Sequence, residues 1–445
     1  MLDDTKTLRG IVITWTLRFN DMLDADQLHT SLSRLLEIGD WGKLGGRLRL
    51  NVGFPFSAPS TATDVYVHQE NGELEIHVPR PFLAERPAVS YSHQVLTMDI
   101  DEHPLARTLP KATEGLSIQA GSSEFRAFAA REDAPAVLED FLYQDTPQLS
   151  LHVTSFRNAT LAALSWPHTL MDVMGQQALL RGWSLVLAGQ ESEVPPLLGA
   201  REDAISAAAD AAVERTEIFK LGQNAVVETR AVFLPKRLMQ EIRSQAESDL
   251  AAAHSGEETS FISDGDLLTA WAVQAVASSL PRPRPVTVLH AVNARFRLTS
   301  MLQAPGVYVQ NMAVAAFTFL SHKAAKESLG VIALENRRHL VEQSTEAQVL
   351  AFLRELRCQA KTESDPALLC GESDVVLQPF TNWTRANISK VADFSPAVIC
   401  AGETGRSRTN PPGTLCSIMR NPCNRQWEPR MWLWCWAKIT VITAG

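Results

Sequence analysis

The stretch Pro167-His168-Thr169-Leu170-Met171-Asp172-Val173-Met174-Gly175 decides how this chain is read. It follows Thr160 to Trp166, whose alternation predicts a strand, and it leads into a segment whose apolar spacing predicts a helix over 171–188. His168 and Asp172 stand four positions apart at that junction. A histidine so placed is the best candidate in the chain for a catalytic base. Imidazole titrates near pH 6.5 and so offers a neutral nitrogen near pH 7. With 11 histidines present, HxxxD spacing alone is a weak signal, and the strand-to-helix context gives it weight.

Working outward, Ile11 to Leu17 predicts a strand, and Leu23 to Ile38 a helix with Leu28, Leu32, Leu35 and Leu36 at helical spacing. Leu44-Gly45-Gly46-Arg47-Leu48 reads as a glycine turn into another strand. Glu73 to Val78 reads as a short strand. Leu149 to Phe156 and Thr160 to Trp166 read as a hairpin around Arg157-Asn158-Ala159. On helix 171–188, Val173, Met174, Ala178, Leu179 and Trp183 form a stripe whose simplest role is core packing. Gly189 to Glu214, with Pro195-Pro196, Gly199 and an alanine-rich run, reads as a connector. Beyond Thr216 the same alternation resumes: helices over Lys236 to Glu247, Asp264 to Ser279 and most of Lys323 to Leu356, strands over Pro285 to Ala291 and Tyr308 to Phe319. The class is therefore α/β, with mixed sheets covered by helices. The expected division is a first domain over 1–190, a connector over 191–215 and a second domain over 216–445.

Composition narrows the function. The 445 residues, 45% hydrophobic and 20% charged, are ordinary globular material and exceed what one core usually accommodates. Acids outnumber bases by 50 to 41, a formal charge of -9, and no long Lys/Arg run is present, which disfavours nucleic acid and anionic membranes as partners. The opening MLDDTKTLRG is too acidic for a secretory leader, and no stretch is apolar enough to span a bilayer, so a cytoplasmic protein is expected. Cys358, Cys370, Cys400, Cys416, Cys423 and Cys435 lack CxxC spacing, so no metal site is expected from them. No GxSxG elbow supplies an activated serine.

The motif order resembles the BAHD acyltransferases, in particular fungal members that acylate secondary metabolites. LGGRL at 44–48 is similar to the family's GRL turn. PHTLMDVMG is similar to HxxxDG, with Val173 in the usual glycine position and the glycine displaced to Gly175. NARFRL at 293–298 leads to Tyr308-Val309-Gln310-Asn311, where the family often has a glycine before the asparagine. Thr381-Asn382-Trp383 precedes Ala392-Asp393-Phe394, which meets only the start of a DFGWG box because Ser395 and Pro396 follow.

That resemblance implies two chloramphenicol acetyltransferase-like domains with an active-site tunnel between them and His168 at its middle. It implies an O-acyltransferase that takes acyl-CoA, acetyl-CoA foremost, as co-substrate and binds no permanent cofactor. Direct transfer to a small-molecule alcohol, a terpenoid or polyketide, in a ternary complex is the implied chemistry. His168 is the implied general base, and Thr381 and Trp383 are the implied neighbours of the thioester carbonyl. Asp172 is implied to turn away from the tunnel and pair with Arg295, and Asp393 to give structural support. A monomer is implied. The alternatives are N-acylation or condensation-type amide formation, although Pro167 stands where a condensation domain carries a second histidine.

The end of the chain departs from this pattern. From Asn410 it holds four of the ten tryptophans and three of the six cysteines, with no amphipathic period. Read one nucleotide earlier from Met431, the permitted codons include DVALVLGKDHGHHGW, a strand-turn-strand pattern. Residues 401–445 are therefore read as anomalous and out of frame, and an inactive ligand-binding product is the further alternative.

Overall fold

The computed structural model describes residues 2–50, 63–67, 74–210, 230–253, 261–360, 374–399 and 415–420. The elements that position the site are, in chain order, β1 (Val12–Phe19), α1 (Ala25–Leu35), β2 (Ser90–Val95), β3 (Ser150–Ser155), β4 (Thr160–Pro167) and α2 (Val173–Leu187). They continue with α3 (Lys236–Ala253), α4 (Asp264–Ser279), β5 (Val286–Asn293), β6 (Ala313–Leu320), α5 (Leu329–Gln343), β7 (Val376–Phe380) and β8 (Leu415–Arg420).

The first sheet runs β8-β1-β4-β3-β2 and is mixed: β2 pairs β3 in parallel, and the other pairs are antiparallel. The expected hairpin is present, with Ser150 opposite Ser165 and Ser155 opposite Thr160. Every residue of β4 is buried, so its polar side chains need partners inside the protein. Thr160 Oγ1 donates to the Asp21 carbonyl at 3.0 Å and accepts from Leu23 N–H at 2.9 Å, while the Ser165 and Thr14 hydroxyls meet at 2.6 Å. The alternation seen in the sequence therefore does not separate a wet face from a dry one.

α1 and α2 cover this sheet. Asp24 caps α1 by accepting from Asp26 and Gln27 N–H, and the buried leucines predicted from its spacing, Leu28, Leu32 and Leu35, face Trp183 of α2. The Trp183 indole N–H donates to Ser31 Oγ at 2.9 Å, so the largest buried side chain of that seam leaves no unmet donor.

The second sheet runs β6-β5-β7, antiparallel on one side and parallel on the other, under α3, α4 and α5. Two predicted elements differ from what is observed. The strand expected over Tyr308 to Phe319 begins only at Ala313, because side chains take the backbone groups just before it: Asn311 N–H donates to Asp3, and Met312 N–H to Asp172. Within the expected connector 191–215, residues 191–210 are described and carry a short strand and a helix. Leu197–Leu198 pairs with Val307–Tyr308, and helix Ala204–Asp210 packs against helix Glu346–Ala360 through Ile205, Leu353 and Leu356.

The chain also returns to its first sheet. Ala386, Ile388, Phe394 and Ala397 join the core beneath α1 and α2, Leu23 bridges to Val398, and β8 pairs with the edge of β1. The tail assigned to a different reading frame lies outside the described residues except for β8. Among the described residues no helix is long and apolar enough to cross a membrane.

Gly175 shows how closely the halves approach. A Cβ there would lie 2.1 Å from the Val309 carbonyl oxygen. Gly175→Ala should therefore lower unfolding free energy in urea by about 1–3 kcal/mol, the usual range for overpacking. Gly115→Ala, where a Cβ meets nothing, should stay within about 0.5 kcal/mol of the parent.

Candidate active site

The loop after β4 is held at every polar group of its backbone that the site depends on. His168 N–H donates to the Ile11 carbonyl at 2.8 Å, and the His168 carbonyl accepts from Asn311 Nδ2 at 2.8 Å. Asn311 is itself fixed by Asp3, whose Oδ1 takes both its backbone N–H at 2.6 Å and its amide at 2.8 Å. Asn311 had surfaced in the sequence only as a motif position, and nothing in the acidic opening singled out Asp3.

Asp172 makes four hydrogen bonds. Oδ1 caps α2 by accepting from Met174 and Gly175 N–H, each at 3.0 Å, while Oδ2 accepts from Arg295 Nη1 at 2.7 Å and Met312 N–H at 3.0 Å. Both members of the pair are over nine-tenths buried. Arg295 spends its remaining donors on the carbonyls of Tyr308, at 3.2 and 3.1 Å, and of Gln310. With both carboxylate oxygens committed this way, Asp172 has no role as an orienter of the His168 ring.

His168 faces a cavity of about 490 Å³ between the two sheets. Its Nδ1 is sealed and makes no hydrogen bond among the described residues, although its own carbonyl lies near enough to favour a proton there. Nε2 is the nitrogen left open to the cavity. Burial pushes the imidazole pKa below its ordinary value, opposed by that carbonyl and by the charges of Asp172 and Asp3. The ring is thus held neutral, with the lone pair of Nε2 available.

Thr381 and Trp383 line the same cavity, so the structure brings them together with His168 across a sequence separation of more than 200 residues. The Trp383 indole N–H donates to Thr381 Oγ1 at 3.1 Å, and its ring packs on Trp15 with centroids 5.2 Å apart. Asp393 is not brought to the cavity. It is exposed, its N–H donates to Ser184 Oγ at 3.0 Å, and its Oδ1 accepts from Ser395 N–H at 3.0 Å. Beside it Phe394 is clamped edge-on between Trp183 and Phe19, at 4.7 and 5.1 Å.

The cavity has two kinds of wall. From the first half come Leu8, Ile11, Ile13, Trp15 and Trp166; from the second come His290, Arg297, Arg337 and Arg385. Among the described residues no group of three or more His, Cys, Asp or Glu side chains could hold a metal ion.

The mixed α/β fold sets a part-buried histidine against a cavity between two sheets, and comparison with known proteins gives the family. The profile of the Transferase family matches residues 123–365, and the chain belongs to that family, the BAHD-type acyl-CoA-dependent acyltransferases. It is 36% identical over 435 residues to the O-acetyltransferase PaAT-2 of Phomopsis amygdali, covering 91% of this chain and 84% of that one. It is 35% identical to the acetyltransferase BOT5 of Botryotinia fuckeliana, covering 92% and 76%. Its fold matches that of TRI101 from F. sporotrichioides, solved with coenzyme A and T-2, with a TM-score of 0.57 at 14% identity over 88% of this chain and 84% of that one. Vinorine synthase shares the fold with a TM-score of 0.50 at 14% identity, over 88% and 80%.

Truncating either side of the buried pair leaves the other charge uncompensated. Asp172→Ala and Arg295→Ala should each cost about 3–5 kcal/mol in urea unfolding. The Asp172 variant should sit at the upper end, because it also removes the cap of α2.

Proposed function

We propose that this protein transfers an acetyl group from acetyl-CoA to a hydroxyl of a small secondary metabolite, a terpenoid or a polyketide. The observation that carries the reading is His168 with Nε2 open to a cavity shared with Thr381 and Trp383. Membership of the acyl-CoA-dependent family and its likeness to acetyltransferases support the donor, and its likeness to the O-acetyltransferase PaAT-2 supports oxygen as the acceptor.

The chemistry follows from those groups. Nε2 of His168 takes the proton of the acceptor hydroxyl as its oxygen attacks the thioester carbonyl. The carbonyl oxygen becomes an oxyanion in the tetrahedral intermediate. Trp383 has directed its N–H onto Thr381 Oγ1, which leaves the Thr381 hydroxyl proton as the donor for that oxyanion. Collapse breaks the C–S bond, and the departing CoA thiolate takes the proton from the imidazolium. Ester and free CoA leave, and His168 is neutral again.

Asp172 and Arg295 act on this scheme through position alone, by fixing the loop that carries His168. Asp393 supports the docking of Phe394. We extend the reading to domain limits near 190 and 216, to a monomer and to a cytoplasmic setting.

The direct test is thermal melting of the full chain with CoA, followed by mass-spectrometric detection of acetylated product from a panel of terpenoid and polyketide alcohols. Saturating CoA should raise the melting temperature. His168→Ala should keep that shift while turnover falls by about 10² to 10⁴. Unchanged turnover in the variant would remove His168 from the mechanism.

The pH profile is a second check. Burial lowers the folded-state pKa of His168, so the neutral base survives to lower pH than a free imidazole would. The acid limb of kcat/KM should therefore lie below pH 6.5, with activity lost as pH falls through it. A midpoint above 6.5 would contradict a desolvated base.

A further inference from the structure

The second sheet carries a buried polar chain that the reaction above leaves unused, and it ends at the cavity. It starts at Asp266 of α4. Oδ2 accepts from Ser263 N–H and Oγ–H, each at 2.7 Å, and from Arg337; Oδ1 accepts from Asn336 Nδ2 at 2.9 Å. That last contact fixes the Asn336 amide, since the flipped orientation would set its oxygen against a carboxylate. Asn336 Oδ1 therefore faces the other way, accepting from the Thr318 hydroxyl at 2.8 Å and meeting His290 Nε2 at 2.8 Å.

An oxygen acceptor opposite Nε2 requires a proton on Nε2, so His290 is held as the Nε2–H tautomer and its Nδ1 carries a lone pair. The His290 side chain, on β5, is 94% buried yet lines the cavity. Nδ1 makes no hydrogen bond among the described residues and is not among the sealed polar atoms. Burial pushes the His290 pKa down to about 4, so Nδ1 stays an acceptor across the neutral range. A histidine serving only as core would have both nitrogens satisfied or sealed.

The surroundings say which ligand brings the donor. Arg297 and Arg385 line the same cavity, neither meets a carboxylate among the described residues, and the Arg385 guanidinium carbon stands 3.6 Å from the Phe296 ring centroid. A wall with unneutralised guanidinium groups suits a ligand bearing phosphates, whereas the apolar wall of Ile13 and Trp15 suits the carbon skeleton of an alcohol. The phosphate-bearing ligand of this reaction is the acyl donor, and the N–H donors along its chain are the pantetheine amides.

We propose that His290 Nδ1 accepts a hydrogen bond from a pantetheine amide N–H of the acyl donor, which makes His290 a specificity-determining residue for pantetheine thioesters. This rests on the acyl-CoA reading above. Asp266, Asn336 and Thr318 are positioning residues: they hold the tautomer and never touch the ligand.

The test uses the full chain labelled with ¹⁵N-histidine, titrated with CoA and observed by NMR, with the His290 signals assigned by their loss in His290→Gln. The free chain should show an unprotonated Nδ1 whose resonance moves toward the protonated side as CoA saturates. Calorimetry should show CoA binding weakened roughly 2- to 12-fold in His290→Leu, the range of one neutral hydrogen bond, and recovered in His290→Gln, which keeps an acceptor oxygen. A protonated Nδ1 in the free chain, a signal indifferent to saturating CoA, or one moved by an acceptor alcohol alone would overturn the proposal. If His290→Leu does not fold, the titration of the labelled parent decides. Failure of the parent chain to bind CoA would instead remove the acyl-CoA reading itself.

Discussion

The buried ion pair between Asp172 and Arg295 is the constraint on which the site depends. One carboxylate ends the loop that carries His168, starts α2, and accepts from both a guanidinium and a backbone N–H of the second half. Buried charges are tolerated only when each lone pair and each N–H finds a partner, and here the carbonyls of Tyr308 and Gln310 complete the arginine's shell. The pair thus goes with a segment, 309–312, that leaves strand geometry and lies against α2. Gly175 is the counterpart of that requirement, since only a residue without a side chain lets the Val309 carbonyl approach so closely.

From this junction the cavity takes its character. Both halves line it: Ile13, Trp15 and Trp166 come from the first sheet, and His290, with Arg297, Arg337 and Arg385 from the segments around it, from the second half. His168 stands where they meet, with its backbone tied to Ile11 on one side and Asn311 on the other. A side chain whose peptide unit is fixed at both ends loses little entropy on reaching a reactive geometry, and this is what the proposed base role of His168 would draw on.

Much of this was legible in the chain itself. The helix over 25–35 follows from apolar spacing, because burial of one face leaves a periodic imprint, whereas the helix over 264–279 and the strand 160–167 are buried on more than one face and were legible from their apolar content. The HxxxD and T-x-W elements pointed to residues that line one cavity, because their spacing within each motif is local. The strand expected from Tyr308 was less legible: Val309 and Met312 are apolar and buried, yet Gln310 and Asn311 between them serve distant side chains rather than a ladder. The described part of the connector carries a strand and a helix for a similar reason, since Leu197 and Ile205 find partners more than 100 residues away.

What the sequence alone determined was the class of fold, the order of its elements and a candidate for the base, all properties carried by neighbours along the chain. Tertiary structure decided how those residues face one another. Only contact in space commits both oxygens of Asp172 away from His168, aims the Trp383 indole at Thr381, and fixes through Asp266 and Asn336 which nitrogen of His290 is free. Hydrogen-bond direction depends on the partner's position, and those partners lie tens to hundreds of residues apart, where no local period can record them.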